Sequence, residues 1–201
     1  MRRDTAVRRL TAIAEECQRI RALWEDEQPF LTAVYAFGDL VDGAAEVETV
    51  QVVFVLNLPA QDLAWGTEPG GCGWLIDVLR LDKTPVDRYW RSAGSAVGNH
   101  LIARPLRIWS ADNGVDESAL KALSAGSCES LRLPSQPAHE AEEQLATELA
   151  ASLAHLRALE ASYWEPEWRR KHRGGGTYPE SHLWNAVHGY LDLLAAAMSE
   201  H

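Results

Sequence analysis

Apolar residues follow helical or strand spacing through most of the N-terminal part of the chain. Residues 4–24 place apolar side chains at three- and four-residue steps with Arg and Glu between them, which predicts an amphipathic helix. Residues 31–37 and 50–58 are nearly continuous runs of β-branched, aromatic and other apolar residues, typical of buried strands. Residues 100–109 predict a third strand, in which Pro105 indicates an edge position or a bulge.

Three short helices are predicted around these strands. One covers residues 74–81, and another starts at Thr84-Pro85, a cap followed by proline at the first helical position, and runs through residue 90. A third covers residues 116–125 and stops at Gly126. The pattern predicts an α/β (α+β) fold with a small mixed sheet flanked by helices.

The C-terminal part of the chain has only helical patterns. Residues 127–137 contain two prolines and form the best linker candidate, which divides the chain into domains at 1–134 and 135–201. Residues 138–199 predict two long antiparallel helices joined by a basic, glycine-rich loop, and the second opens with a capping box at 177–180.

Composition narrows the function classes. The net charge of −10 argues against a general nucleic-acid binder and against binding to anionic membranes. The cysteines are few and widely separated, so neither a disulfide framework nor a CxxC metal site is expected. The N-terminal residues run directly into a helical pattern without a signal-peptide core, and a cytoplasmic location is expected.

Tryptophan is unusually frequent, with eight residues in the chain. Core packing explains some of them, because the indole buries a large area. Those spread over loops, such as Trp65 and Trp74 beside a Gly-Gly pair, are candidates to line a ligand cleft, and Trp90 follows in the same region. The full set is Trp24, Trp65, Trp74, Trp90, Trp109, Trp164, Trp168 and Trp184.

One motif suggests a family. A strand ends in the sequence AFGDLVDG at residues 36–43, and a second strand begins a few residues later with ETVQVVF at residues 48–54. This layout resembles the nucleotidyltransferase fold over roughly residues 5–125. In that family the turn reads Gly-Ser and holds the triphosphate, and the second strand opens with Asp-x-Asp. The resemblance implies that those two carboxylates would hold the metal ions that activate the attacking hydroxyl and neutralise pyrophosphate.

The sequence departs from this family where the chemistry is carried out. Aligned on the second glycine of the turn, the metal-binding positions fall at Val50 and Val52, and one residue earlier they fall at Thr49 and Gln51. Neither alignment gives two carboxylates, and Glu48 alone cannot hold two divalent ions. We therefore expect no nucleotidyl transfer, no bound metal and no cofactor.

The phosphate-binding turn itself is also altered, because Asp39 stands where the family has Ser. A carboxylate at ~4 Å from a phosphate oxygen repels it by ~4 kcal/mol per charge pair at an effective dielectric near 20. Asp39 and Asp42 are three residues apart on the turn. Both could face one cation, or both could be solvated turn residues.

Cationic residues gather on the predicted third strand. Strict alternation puts His100 and Arg104 on one face and Arg107 on the other, unless Pro105 shifts the register. They invite an anionic or carboxylate ligand, or they pair with internal carboxylates, for which the candidates are Asp77, Asp82 and Asp87.

A ligand cleft follows from these placements. It would lie between the turn at 38–43 and the strand with Arg104 and Arg107, under tryptophans from residues 65–90. The mixed charges suit a zwitterionic or amine-bearing carboxylate better than a polyphosphate. The basic run at 169–173 suits a solvated hairpin tip that complements the acidic body, or alternatively phosphate or RNA contact.

A second resemblance is to an actinobacterial family of unknown function with Trp-rich segments and an RPLRIW strand, here residues 104–109. It implies no activity.

Three functional hypotheses remain open. The first is a non-catalytic nucleotidyltransferase-like protein that binds a small molecule or a partner protein, including a second copy through the C-terminal helices. The second is an enzyme of another kind, with His100 as general base and Arg104 or Arg107 holding the substrate. The third is an antitoxin-like member of a two-component system.

Overall fold

A computed structural model describes residues 1–23, 29–173 and 178–199. Trp24, the glycines of the predicted basic loop and Thr177 of the capping box lie outside these ranges. The chain forms two compact units. Unit 1 comprises residues 1–59 and 70–136, and unit 2 comprises residues 60–69 and 137–201. The predicted division at residue 134 stays a prediction. None of the helices in the described ranges is both long enough and apolar enough to span a bilayer.

Unit 1 is built on a five-stranded mixed sheet with strand order β3-β2-β1-β4-β5. The strands are β1 (Leu31–Phe37), β2 (Val50–Leu56), β3 (Val86–Ser92), β4 (Leu106–Ser110) and β5 (Gly114–Val115). The central strand β1 runs antiparallel to β2 and β4, whereas β2 and β3 are parallel.

Helices flank this sheet. α1 (Arg3–Leu23) packs against β4, β5 and α3, and α2 (Gly73–Val78) and α3 (Glu117–Ala125) are shorter. The apolar stripe of α1 is buried as its periodicity predicted. The predicted fold class, a small mixed α/β sheet flanked by helices and followed by C-terminal helices, is confirmed.

Two predictions of secondary structure on the sheet were wrong. Residues 86–92 form strand β3, not a helix, because they pair with β2 in parallel from Val86 to Ser92. The third predicted strand begins only at Leu106. Arg104 has a positive φ of 43° and Pro105 has no N–H to donate, so residues 100–105 form a loop.

Unit 2 contains α4 (Ala138–Ser162), α5 (Pro166–Lys171) and α6 (Pro179–Ser199). α4 and α6 pack together, and they are antiparallel: Tyr163 near the end of α4 contacts Glu180 at the start of α6. The basic run does not form a loop throughout, since its residues 169–171 belong to α5.

Residues 60–69 join unit 2 through Trp65. Its indole N–H donates to Asp192 of α6 at 2.6 Å, and its backbone N–H donates to the buried Ser152 of α4 at 3.2 Å. The carbonyl oxygen of Trp65 would lie 1.9 Å from a Cβ at Gly189. Glycine at 189 therefore permits the close approach of this segment to α6.

Candidate functional site

The turn at residues 38–43 follows β1 and is fixed by its own backbone. The N–H of Asp42 donates to the carbonyl oxygen of Gly38 at 2.9 Å, and Gly38 has a φ of +73°. Leu40 and Val41 are buried below the turn, whereas Asp39 and Asp42 are exposed. Buried apolar side chains therefore hold the turn against the core, and its two carboxylates face solvent.

The structure shows which residues of β2 face this turn. The side chain of Gln51 lies directly over Gly38, where a Cβ would come within 1.6 Å of Gln51 Oε1. Val50 and Val52 point to the opposite side of the sheet and are fully buried. The Asp-x-Asp motif can be aligned with Val50 and Val52 or with Thr49 and Gln51. Only the second alignment includes a residue that packs against the turn, which is Gln51.

Asp87 of β3 completes this group. It lies opposite Gln51 in the parallel β2–β3 pair, and the hydroxyl of Thr49 donates a hydrogen bond to its carboxylate. Asp87 is exposed, and Thr49 and Gln51 are partly exposed. We call Gly38, Thr49, Gln51 and Asp87 the turn site. Its side chains offer one carboxylate, one hydroxyl and one amide.

The same face of the sheet continues along β1 with aromatic rings. The ring of Phe37 meets that of Tyr89 edge to face at a centroid distance of 5.3 Å. Tyr35 lies opposite Arg107 of β4. Burial raises the pKa of Tyr35 above its ordinary value, and the guanidinium of Arg107 partly offsets this. The turn site therefore borders a face of mixed polar and aromatic residues.

A network of ion pairs lies beside the turn. Arg132, whose side chain is only 8% exposed, forms a salt bridge with Asp42 at 2.7 Å. Its Nε donates to the backbone oxygen of Arg104 at 2.8 Å. Glu129 accepts from both Arg104 and Arg132. The pKa of Glu129 lies below its ordinary value, mainly because of the hydrogen bond from Arg104 and also because of the charges of Arg104 and Arg132. The network connects the turn to the loop before β4.

The three cationic residues that the sequence placed on one strand lie partly in a loop and partly on β4. His100 and Arg104 lie in the loop before β4 and not on a strand, so the predicted alternation of His100, Arg104 and Arg107 on one strand was wrong. Arg104 is paired with Glu129, and Arg107 is 3.9 Å from Asp116, which also caps α3. For Arg104 and Arg107 these partners are not the Asp residues considered from the sequence. Ligand binding by these cations stays a prediction.

The predicted tryptophans occupy separate places. Trp90 is buried on the other face of the sheet against Phe54, with ring centroids 5.3 Å apart. Trp74 lines a small apolar cavity with Phe30 and Trp109 at the start of β1, whereas the turn follows its end. Trp65 belongs to unit 2. Within unit 1 the structure does not bring Trp74 or Trp90 to the turn.

Sequence reasoning named Asp87 only as a possible ion-pair partner, and it missed Arg132 of the neighbouring ion-pair network. Asp87 was assigned to a helix, and only its position on β3 places it opposite Gln51. Arg132 lay in a segment taken for a linker, although its isolated charge among leucines in SLRLP was a usable signal. In the described ranges, His, Cys, Asp and Glu side chains form no group of three that could hold a metal ion.

Comparison with known families assigns the chain. A family model described as a domain of unknown function, DUF7711, matches residues 1–199. The chain belongs to the DUF7711 family. This agrees with the expectation of a family of unknown function, while the actinobacterial origin and the Trp-rich segments expected of that family stay predictions.

No curated protein matches the chain. One solved structure is similar, a protein from Sulfolobus solfataricus described as a "putative nucleotidyltransferase". It is 16% identical with a TM-score of 0.37, and the alignment covers 57% of this chain and 91% of that protein. At this TM-score the similarity carries no argument about this DUF7711 protein.

Proposed function

We propose that this DUF7711 protein is a non-catalytic, nucleotidyltransferase-like protein that binds a small molecule or a partner protein. The observation that carries the proposal is the orientation of β2. Gln51 packs on the glycine turn, Thr49 bonds to Asp87 opposite Gln51, and neither Thr49 nor Gln51 is a carboxylate.

The donor set of the turn site supports the absence of two-metal chemistry. Two divalent ions that share a site are held by several carboxylate oxygens, which also offset their charge. The turn site supplies only the carboxylate of Asp87, and the hydroxyl of Thr49 already donates to it. The neutral amide of Gln51 brings no charge to a second ion.

The turn also lacks the features of a phosphate cradle. The side chain of Gln51 fills the space directly above Gly38, and Asp39 adds a negative charge to the turn. Arg132, which pairs with Asp42 of the turn, is also held by Glu129. A polyphosphate would have to displace Gln51 and approach an uncompensated carboxylate. These features favour a ligand that carries an amine or amide group over a nucleoside triphosphate.

The test is incorporation of labelled nucleotide into any acceptor by the full chain, with Mg²⁺ or Mn²⁺ present. We expect none. Metal-dependent incorporation that disappears in Asp87→Asn would contradict the proposal, because it would show that one carboxylate is sufficient. Incorporation lost only in Asp39→Ala and Asp42→Ala would equally contradict it and would place the metal site on the turn.

Two alternative functions stay predictions. In the first, His100 acts as a base and Arg104 or Arg107 binds the substrate. Binding by Arg104 would require it to leave Glu129, and binding by Arg107 would compete with Asp116. The second is the antitoxin-like partner protein, in which the helices of unit 2 would dock the partner.

A further inference from the structure

One face of α6 presents large apolar side chains to solvent at a regular spacing. Trp184, Leu191 and Met198 lie seven residues apart and are 69%, 52% and 73% exposed. His188 and Ala195 lie between them and are also exposed. Their steps of four and three residues are the spacing of a coiled-coil seam. We call these five residues the α6 seam.

The seam is distinct from the face that α6 uses inside unit 2. Ala186, Gly189 and Leu193 are the buried residues of the helix middle, on the side that meets α4 and residues 65–66. Large apolar residues are not needed on an outer face for packing within the unit. Exposing three of them in line is unfavourable in water, at about 25 cal/mol per Å².

The area and charge of the seam indicate what covers it. From the exposed fractions, its three large side chains present roughly 400 Å² per copy if each offers about 200 Å² when fully exposed. A standard interface buries about 800 Å² per partner, so the seam with its rim fits a small, reversible dimer. None of its residues is Asp, Glu, Lys or Arg, so pairing two copies brings no like charges together in the seam, although each chain carries a net charge of −10.

We propose that α6 pairs antiparallel with α6 of a second copy of this chain through the α6 seam. Antiparallel pairing sets the bulky Trp184 against Ala195 of the partner subunit, and His188 against Leu191 of the partner subunit. Parallel pairing would instead oppose Trp184 to its own counterpart and leave the small Ala195 facing another alanine. The antiparallel arrangement also aligns the two helix dipoles favourably.

Sedimentation equilibrium of the full chain tests the dimer. We expect a mass that rises from 22.3 kDa towards twice that value between ~1 and ~200 µM, the affinity range of small interfaces. Leu191→Glu should raise the dissociation constant at least tenfold. The matched control is Leu23→Glu, which changes an exposed leucine of α1 in the same way and should leave the constant unchanged.

A monomer throughout this concentration range, or equal effects of the two variants, would overturn the proposal. If Leu191→Glu does not fold, as judged by circular dichroism, Met198→Glu near the end of α6 decides in its place. Spin labels at Ser199→Cys test the orientation. We expect them to be ~28 Å apart in the antiparallel pair from the 1.5 Å helical rise, whereas a separation near ~10 Å would show a parallel pair and overturn the orientation.

Discussion

The side-chain amide of Gln51 packs directly on the backbone of Gly38, so that a Cβ at residue 38 would lie 1.6 Å from Gln51 Oε1. This contact joins the glycine turn to β2 and occupies the space above the turn. It also determines which residues of β2 belong to the turn site.

Replacing Gly38 with alanine should therefore cost stability for two separable reasons. The positive φ of +73° is strained for alanine, at about 1 kcal/mol, and the Cβ forces Gln51 to move. Urea unfolding of Gly38→Ala should show a loss of about 1–3 kcal/mol. In a Gln51→Ala background the loss should shrink to the backbone part alone. An equal loss in both backgrounds would show that Gln51 does not occupy this position.

Arg132 should be the most costly residue of the ion-pair network to remove. Its side chain is almost buried and serves Asp42, Glu129 and the carbonyl oxygen of Arg104. We expect Arg132→Met to lose about 1–3 kcal/mol in urea unfolding, because the nearly buried guanidinium makes charge-assisted hydrogen bonds, although its partners Asp42 and Glu129 are themselves exposed. Arg104→Met is the control and should lose at most about 1 kcal/mol, since its pair with Glu129 is partly exposed. Equal losses would contradict this ranking.

Replacing Gly189 with alanine should have two opposing effects on stability, one from helix propensity and one from packing. Alanine favours a helix interior by about 1 kcal/mol over glycine. In α6, however, the Cβ would lie 1.9 Å from the carbonyl oxygen of Trp65, a backbone atom that cannot turn away. Thermal unfolding should show a net destabilisation. Gly73→Ala, whose Cβ meets nothing within 4 Å at the start of α2, should be neutral or stabilising. A stabilised Gly189→Ala would mean that Trp65 does not pack on α6.

His182 should make unit 2 less stable in mild acid. Burial, and secondarily the charges of His172 and His155, lower its pKa below the ordinary 6.5. At a pH between the lowered pKa of the folded chain and the ordinary 6.5, His182 is protonated in the unfolded chain but not in the folded chain. The free energy of unfolding therefore falls as the pH drops from about 7 through 6.5. His182→Gln should flatten this part of the pH–stability curve. An unchanged slope would assign the pH dependence to other groups.

The local pattern of apolar residues was sufficient to predict the helix and strands whose apolar residues lie in the core. α1, β1 and β2 lie where the sequence predicts them, since Val34, Val52 and Phe54 have no stable alternative to the core. β3 was missed because Thr84-Pro85 is locally typical of a helix start. Pairing with β2 outweighs that signal, and a single sequence does not show the pairing.

For the candidate site, the sequence predicted that two metal-binding carboxylates are missing, but it did not predict which residues of β2 lie beside the turn. Spacing left two alignments open, at Val50 and Val52 or at Thr49 and Gln51, because a shift of one residue exchanges the faces of a strand. The structure resolves them through the contact of Gln51 with Gly38. The local sequence marks Arg132 as an isolated charge but does not identify its partner, because Asp42 lies 90 residues earlier in the chain.

Mn²⁺ binding to the double variant Thr49→Asp, Gln51→Asp tests the central claim most directly. If the turn site is a nucleotidyltransferase-like metal site that lacks its carboxylates, restoring two beside Asp87 should create one. Calorimetry or electron paramagnetic resonance should then show Mn²⁺ binding at least tenfold tighter in the variant than in the natural protein. Val50→Asp, which changes a fully buried residue on the opposite face, should gain none. Tight Mn²⁺ binding by the natural protein, or no gain in the correctly folded double variant, would contradict the account.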